Sequence, residues 1–181
     1  MKELSMHILD IVMNSVKAKA KLIEIIIDEN VENNFIKIII KDDGCGMSKE
    51  TLEKVTDPFY TTRTTRSVGL GLSLLKEACE RCNGYLKINS DIGVGTVVEC
   101  YFERNNIDRS PLGNMGDTIM TIVNSLNDCE LIYNHVVNKN IFNFNTIQIK
   151  EILQETDINE NSILLWIKEY INENIKELYQ Y

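Results

Sequence analysis

Two short runs constrain the fold of this 181-residue chain more than any other feature: KLIEIIIDE (residues 21–29) and NFIKIIIKD (34–42). Both are dense in β-branched isoleucine, which suits a pleated, half-buried strand. The turn-rich NVENN lies between them, so they predict an antiparallel hairpin. Its second strand stops at DDGCGM (42–47), two carboxylates beside two glycines. Neither a core nor an ordinary surface turn requires that composition.

The remaining periods fall around this hairpin. Leu4, Ile8, Ile11, Val12 and Val16 recur at helical spacing ahead of it. After it, residues 48–56 predict a short helix with Ser48 as N-cap. DPFYTTRTTRSVGLG then has no apolar period and reads as a loop. LSLLKEACERC predicts a helix stopped by Asn83-Gly84, and YLKINSD and TVVECYFE predict a second strand pair joined by IGVG. This order suggests an α/β sandwich with helices over one face of a mixed sheet. The period is lost around RNNIDRSPLGN, which places a boundary near residue 105. Beyond it, a helix over 115–127, a hairpin over 130–145 and helices near 146–155 and 161–178 predict a small α+β region. Ile163, Trp166, Ile167 and Tyr170 form a helical stripe there, which suits core packing or a partner groove and is read as core.

Charge and composition narrow the functions. The net charge is −8, with 14 Lys and Arg against 16 Asp and Glu in residues 1–104, and 5 against 11 in residues 105–181. An acidic region repels phosphate backbones, so nucleic acid is not an expected partner. No apolar run has the length of a membrane span and no signal peptide is evident, which predicts no membrane association and a cytoplasmic location. Five cysteines without framework spacing predict reduced thiols. Cys79 and Cys82 fall on a helical stripe with Leu75 and read as buried core.

Four clusters carry possible chemistry. Asp10, Asn14 and Lys17 share one face of the first helix, where they can serve as base, metal ligand and phosphate contact. A solvated polar face is the commoner use of such spacing. Asp42 ends a strand before Gly44 and Gly46, where a carboxylate can accept from an exocyclic amine and glycine lets backbone approach a flat ring. A tight turn explains the same residues. Gly69, Leu70, Gly71 and Leu72 open a helix whose free N–H groups can face an anion, although neither a Walker loop nor a dinucleotide fingerprint is complete. Gly93-Val94-Gly95-Thr96 is by itself a hairpin turn.

Separately these clusters are ordinary; their order is not. A helix with acid-x3-Asn, a strand ending Asp-x-Gly-x-Gly, DPFYTT, GLGLS and a late G-x-G-T resemble the ATP-binding domain of the GHKL superfamily. That group includes histidine kinases, anti-sigma-factor serine kinases, gyrase-type topoisomerases and mismatch-repair ATPases. The resemblance covers residues 4–103. It implies a Bergerat-type two-layer α/β sandwich, with an ATP-binding domain over 1–104 and the small acidic α+β region over 105–181.

The resemblance also implies roles. Asn14 would coordinate Mg²⁺ between the phosphates, and Lys17 would touch phosphate. Asp42 would bind the adenine amine, with Gly44, Gly46 and Met47 shaping the pocket and Thr96 assisting at adenine. Gly69, Leu70, Gly71 and Leu72 would lie under the phosphates, and residues 60–68 would form a lid. Apart from the resemblance, Arg63 and Arg66 are the cationic side chains of that lid and are the candidates for phosphate contacts. Asp43 is read as a solvated neighbour of Asp42. PFYTT and the GLGLSLLKEACERCNGYLKINSDIGVGT run look most like a histidine-kinase catalytic domain. Yet about half a dozen residues precede the first motif, which sets the expectation of a stand-alone form without the dimerising, phosphoacceptor helices. His7 is read as structural. Asp10 stands where other members carry a glutamate base or an asparagine. The expected activity is a Mg-ATP-dependent kinase or ATPase acting on a separate protein partner, with Asp10 as base; an ATP-driven switch with little turnover is the alternative. A homodimer is compatible with either.

Overall fold

The computed structural model describes residues 3–56 and 71–180. The expected hairpin forms from β1 (Leu22–Asn30) and β2 (Phe35–Asp42), paired antiparallel with Ile25 opposite Ile40 and Ile27 opposite Ile38. Preceding it is helix α1 (Leu4–Lys17), and following it is the short α2 (Lys49–Lys54), capped by Ser48 Oγ, which accepts from Thr51 N at 3.2 Å. Then come α3 (Gly71–Arg81), β3 (Tyr85–Asp91) and β4 (Gly95–Glu103). Residues beyond 105 form α4 (Met115–Ser125), β5 (Glu130–Val137), β6 (Asn140–Asn145), α5 (Thr146–Leu153) and α6 (Asn161–Leu178).

The described strands form one mixed sheet in the order β3-β4-β2-β1-β5-β6, with only β1 and β5 parallel. The sheet therefore runs across residue 105 without a break, because β5 pairs along β1 from Leu22 to Glu29. Strand periodicity of two puts one set of side chains on one face: Ile23, Ile25 and Ile27, Ile36, Ile38 and Ile40, Val98, Cys100 and Phe102, Leu131 and Tyr133, Phe142 and Phe144 are all buried there. Each buried isoleucine contributes roughly 2 kcal/mol of transfer free energy. The opposite face carries the alternate residues, with Glu24 opposite Lys41, Asp28 opposite Lys37, and a Lys37–Glu99 pair at 3.9 Å.

The helices close the apolar face, giving the expected two-layer α/β sandwich. Leu4, Ile8, Ile11 and Val12 bury one side of α1, and Ile119, Ile122 and Val123 of α4 join Leu164, Ile167 and Ile171 of α6 in the same core. The stripe expected on α6 is shifted by about one residue. Ile167 is buried, but Trp166 is 46% exposed and stacks on Tyr170, ring centroids 5.0 Å apart. All five cysteines are free thiols, with Cys79 and Cys82 in the core and only Cys45 exposed. Among the described residues no helix is long and apolar enough to cross a membrane.

A polar cluster sits inside the sandwich at the end of β1. Glu29 Oε1 lies 3.2 Å from His135 Nε2 and accepts a hydrogen bond from Tyr179 Oη; Tyr133 Oη lies 2.8 Å from His135 Nδ1. Arg104 Nε is 3.6 Å from Glu29 Oε2, an ion-pair contact rather than a hydrogen bond. Burial pushes the Glu29 carboxyl up, but the His135 and Tyr179 contacts and the nearby Arg104 charge outweigh it and hold Glu29 below its ordinary value. The cluster fastens the C-terminal end of α6 to β1 and β5.

Candidate nucleotide site

The other end of the β1–β2 ladder is built differently. Asp42 is the last residue of β2, on the helix-covered side, and its register partner on β4 is Thr96. Ser15 of α1 donates from Oγ to Asp42 Oδ2 at 2.6 Å, and Gly44 N donates to Oδ1 at 2.9 Å. Both carboxylate oxygens thus have a fixed donor, which sets the plane of the group while its remaining lone pairs can accept from a ligand. Ser15 was not among the residues the sequence pointed to. Its signal was available: it is a hydroxyl that continues the buried stripe of Leu4, Ile8 and Ile11, where a polar group needs a partner.

Glycine is required where backbones meet beneath this carboxylate. Gly95 has φ +129°, and a Cβ there would lie 2.0 Å from the Asp42 carbonyl oxygen. Gly46 has φ +65°, and its Cβ would fall 1.9 Å from the Asp91 carbonyl oxygen. The β3–β4 hairpin therefore presses directly on the 42–46 loop. Ser90 bridges the two, accepting from Met47 N at 2.8 Å, with its Oγ 2.9 Å from Thr96 Oγ1. The chain is further tied to α1 by Cys45 N, which donates to Ala18 O at 3.0 Å.

Asp43 departs from its expected role. It is exposed, yet Oδ1 accepts from Lys21 N at 2.7 Å and Leu22 N at 2.9 Å, closing the entry to β1. The hydrogen bond from Leu22 is the largest cause that holds its carboxyl below the ordinary range, with Lys21 N assisting against slight desolvation. It is a strand-end clasp, not a merely solvated neighbour.

Asp10, Asn14 and Lys17 lie exposed along one side of α1. That side turns toward the start of α3, where an ideal Cβ on Gly71 would meet Asp10 Oδ2 at 3.1 Å. The carboxylate is therefore placed against the opening turn of α3, with Leu72 beside it partly packed on the core. His7, one turn earlier, is buried, and burial pushes its imidazole down, with a smaller opposing pull from Asp10. It faces Ile38, Ile40, Leu75 and Cys100 and has a structural position. Arg63, Gly69 and Leu70, with the lid read over 60–68, lie outside the described residues.

The donor chemistry at α1 suits a hard cation. Asn14 and Asp10 offer exposed oxygens one turn apart, and Mg²⁺ commonly takes one or two protein oxygens with phosphate and water completing its shell. Among the described residues no three His, Cys, Asp or Glu side chains converge to hold a metal unaided. One end of the sheet thus gathers a fixed carboxylate, glycine-lined backbone and an exposed acid–amide–ammonium row, the parts needed for a base, its phosphates and a cation.

Comparison with known proteins gives this arrangement a setting. The family described as Histidine kinase-, DNA gyrase B-, and HSP90-like ATPase matches residues 2–106. Sensor histidine kinase YvrG of Bacillus subtilis is 34% identical over 95 residues, covering 50% of this chain and 16% of its own length. Sensor histidine kinase WalK of Bacillus subtilis is 38% identical over 77 residues, 40% of this chain and 13% of its own. The chain therefore spans only a small part of these relatives. The N-terminal domain of a DNA repair protein shares the fold at a TM-score of 0.55 and 16% identity, over 99% of this chain and 57% of that one. That likeness of fold extends past residue 105.

Proposed function

Because the chain belongs to the histidine kinase-, DNA gyrase B- and HSP90-like ATPases, we propose that it binds Mg-ATP at this end of the sheet and acts on a separate protein. The observation that carries the reading is Asp42, held by Ser15 and Gly44 N so that its carboxylate can accept from the adenine amine. Thr96, opposite Asp42 and beside Ser90, supports the same edge of the ring, through water where it does not reach directly. Gly44, Gly46 and Met47 line the approach, Asn14 holds Mg²⁺, and Lys17 and the start of α3 at Gly71 and Leu72 face the phosphates. The cation supplies charge neutralisation at the transferring phosphate.

Asp10 is the base in this reading. It takes the proton from a Ser or Thr hydroxyl of the partner, or from water, as that oxygen attacks the γ-phosphorus and the bond to ADP breaks; a His of the partner attacks through its unprotonated ring nitrogen, and Asp10 takes the proton from the other nitrogen. Replacing Asp10 by Asn keeps size and hydrogen bonding but removes the proton acceptor. Phosphate release or transfer is expected to fall on the order of 100-fold or more, with ATP affinity retained. An unchanged rate would remove Asp10 from the mechanism.

The length of Asp10 favours a second reading. Its carboxylate is one methylene, about 1.5 Å, short of a glutamate base. An ATP-dependent switch with little turnover follows if that gap is not closed. Nucleotide-dependent partner binding that survives Asp10→Asn, with no turnover in wild type, distinguishes it.

A further inference from the structure

We propose that β6 is a pairing edge, onto which a second copy of this chain adds its own β6 in antiparallel, two-fold fashion. The inference is independent of the nucleotide reading.

The sheet ends in two edge strands, β3 and β6. β3 carries charge at two of its four exposed positions, Lys87 and Asp91, which discourages strand addition. β6 reads Asn140-Ile141-Phe142-Asn143-Phe144-Asn145, with no charge and no proline. An unguarded edge of this kind is a template for another strand.

The turn fixes which groups it offers. Val137 and Asn140 pair across a two-residue loop, so they form a hydrogen-bonded pair, and alternation directs the N–H and C=O of Asn140, Phe142 and Phe144 toward β5. Asn138 N donates to Glu29 O at 2.8 Å, which agrees: even positions of β5 face β1 and odd ones face β6. Ile141 and Asn143 consequently point their backbone groups outward.

Apolar side chains flank that edge on both sides. Ile141 is 69% exposed on the open face of the sheet. On the helix side, Phe142 meets Tyr170 at 5.6 Å, Tyr170 stacks with Trp166, and Trp166 and its neighbour Leu165 are 46% and 56% exposed. A strand added at β6 would cover apolar surface above and below, which strand pairing alone does not provide.

A second copy fits this edge because the strand is its own complement. The two-fold registers centred on the outward residues Ile141 and Asn143 place Asn143 opposite either Asn143 or Ile141 of the mate, so that an outward N–H meets an outward C=O. The side chains that meet are uncharged, so the −8 carried by each copy acts only at a distance. Salt screens that repulsion and is expected to tighten the pair, whereas it would loosen a basic peptide bound at the same edge.

Sedimentation across the micromolar range tests the proposal on the whole chain. Wild type is expected to dimerise, more tightly as salt rises. Asn143→Lys and Asn143→Glu should each weaken the dimer about fivefold by setting like charges near the two-fold axis, and an equimolar mixture of the two variants should restore it. Asn143→Pro removes an outward N–H and no backbone bond to β5 and should abolish it; it also loses the side-chain bond from Asn143 Nδ2 to Asn134 Oδ1, 2.6 Å, a loss that Asn143→Ala shares without the proline and so controls for. Unchanged thermal unfolding of the variants controls for folding. A wild-type monomer throughout, a dimer indifferent to these substitutions, a mixture no tighter than its components, or loosening by salt would each overturn the proposal.

Discussion

Asp42 and Glu29 lie on the same face of the same two-stranded ladder, at opposite ends, and the protein uses them oppositely. Glu29 is 3% exposed, with its oxygens directed at His135, Tyr179 and Arg104. Asp42 is only partly buried and has one fixed donor per oxygen, from Ser15 and Gly44. A carboxylate whose valences are met inside the protein is a fastening. One that is held from behind and left open in front can serve a ligand. The two ends should therefore fail differently: the closed end in stability, the open end in binding.

The largest expected effect is at the closed end. Glu29→Ala leaves His135 and Tyr179 without their acceptor and Arg104 without its counter-charge, and should cost about 3 kcal/mol in chemical denaturation. Nucleotide affinity should stay near wild type. A stability loss below about 0.5 kcal/mol would mean that the cluster does not fasten α6 to the sheet.

Gly95→Ala should sit between the two classes. Its Cβ must push aside the Asp42 carbonyl, from a backbone conformation at φ +129° that alanine rarely adopts. About 2 kcal/mol of stability should be lost together with nucleotide binding. A variant as stable as wild type would show that the 42–46 loop gives way there without cost.

Ser15→Ala sharpens the contrast at the open end. It removes one donor from Asp42 and should weaken ATP binding about fivefold, with a stability change near 1 kcal/mol or less. A larger effect on folding than on affinity would turn Ser15 from a positioning residue into a core one.

The smallest effect is acid sensitivity. The folded Glu29 carboxyl lies below its unfolded value near 4.5. Its stabilising contribution is fully present above that value and is lost as the pH falls through the folded value. Glu29→Gln should flatten that part of the stability–pH curve, read by denaturant midpoints between neutral and acid pH. An identical slope in wild type and variant would place the acid sensitivity elsewhere.

The fold was legible in the sequence because its signals are local. Isoleucine runs, helical stripes and asparagine or serine caps each act within a few residues; Ser48 and Asn145, for instance, cap the helices that follow them. The fastening at Glu29 carries no such signal, since its partners come from positions 104, 135 and 179 and meet only through the sheet. Trp166 misleads for a related reason: the apolar stripe on α6 is wider than the arc the sheet covers, and neighbouring Leu165 and Trp166 stay exposed. At the site, the spacing of Asp10, Asn14, Asp42 and Thr96 pointed to elements that the fold brings to one end of the sheet. Ser15 and Ser90, which hold Asp42 and join Thr96 to Met47, are small hydroxyls whose partners lie 27 and 43 residues away. Asp43 looked free because its two donors are backbone N–H groups, which no side-chain pattern reveals.

Calorimetric titration of Mg-ATP into the wild-type chain and into Asp42→Ala tests the adenine assignment most directly. Measurable micromolar affinity in wild type, falling on the order of 100-fold in the variant with its thermal unfolding little changed, is the expected result. No affinity in wild type, or equal affinity in both, would contradict the assignment of this end of the sheet to ATP.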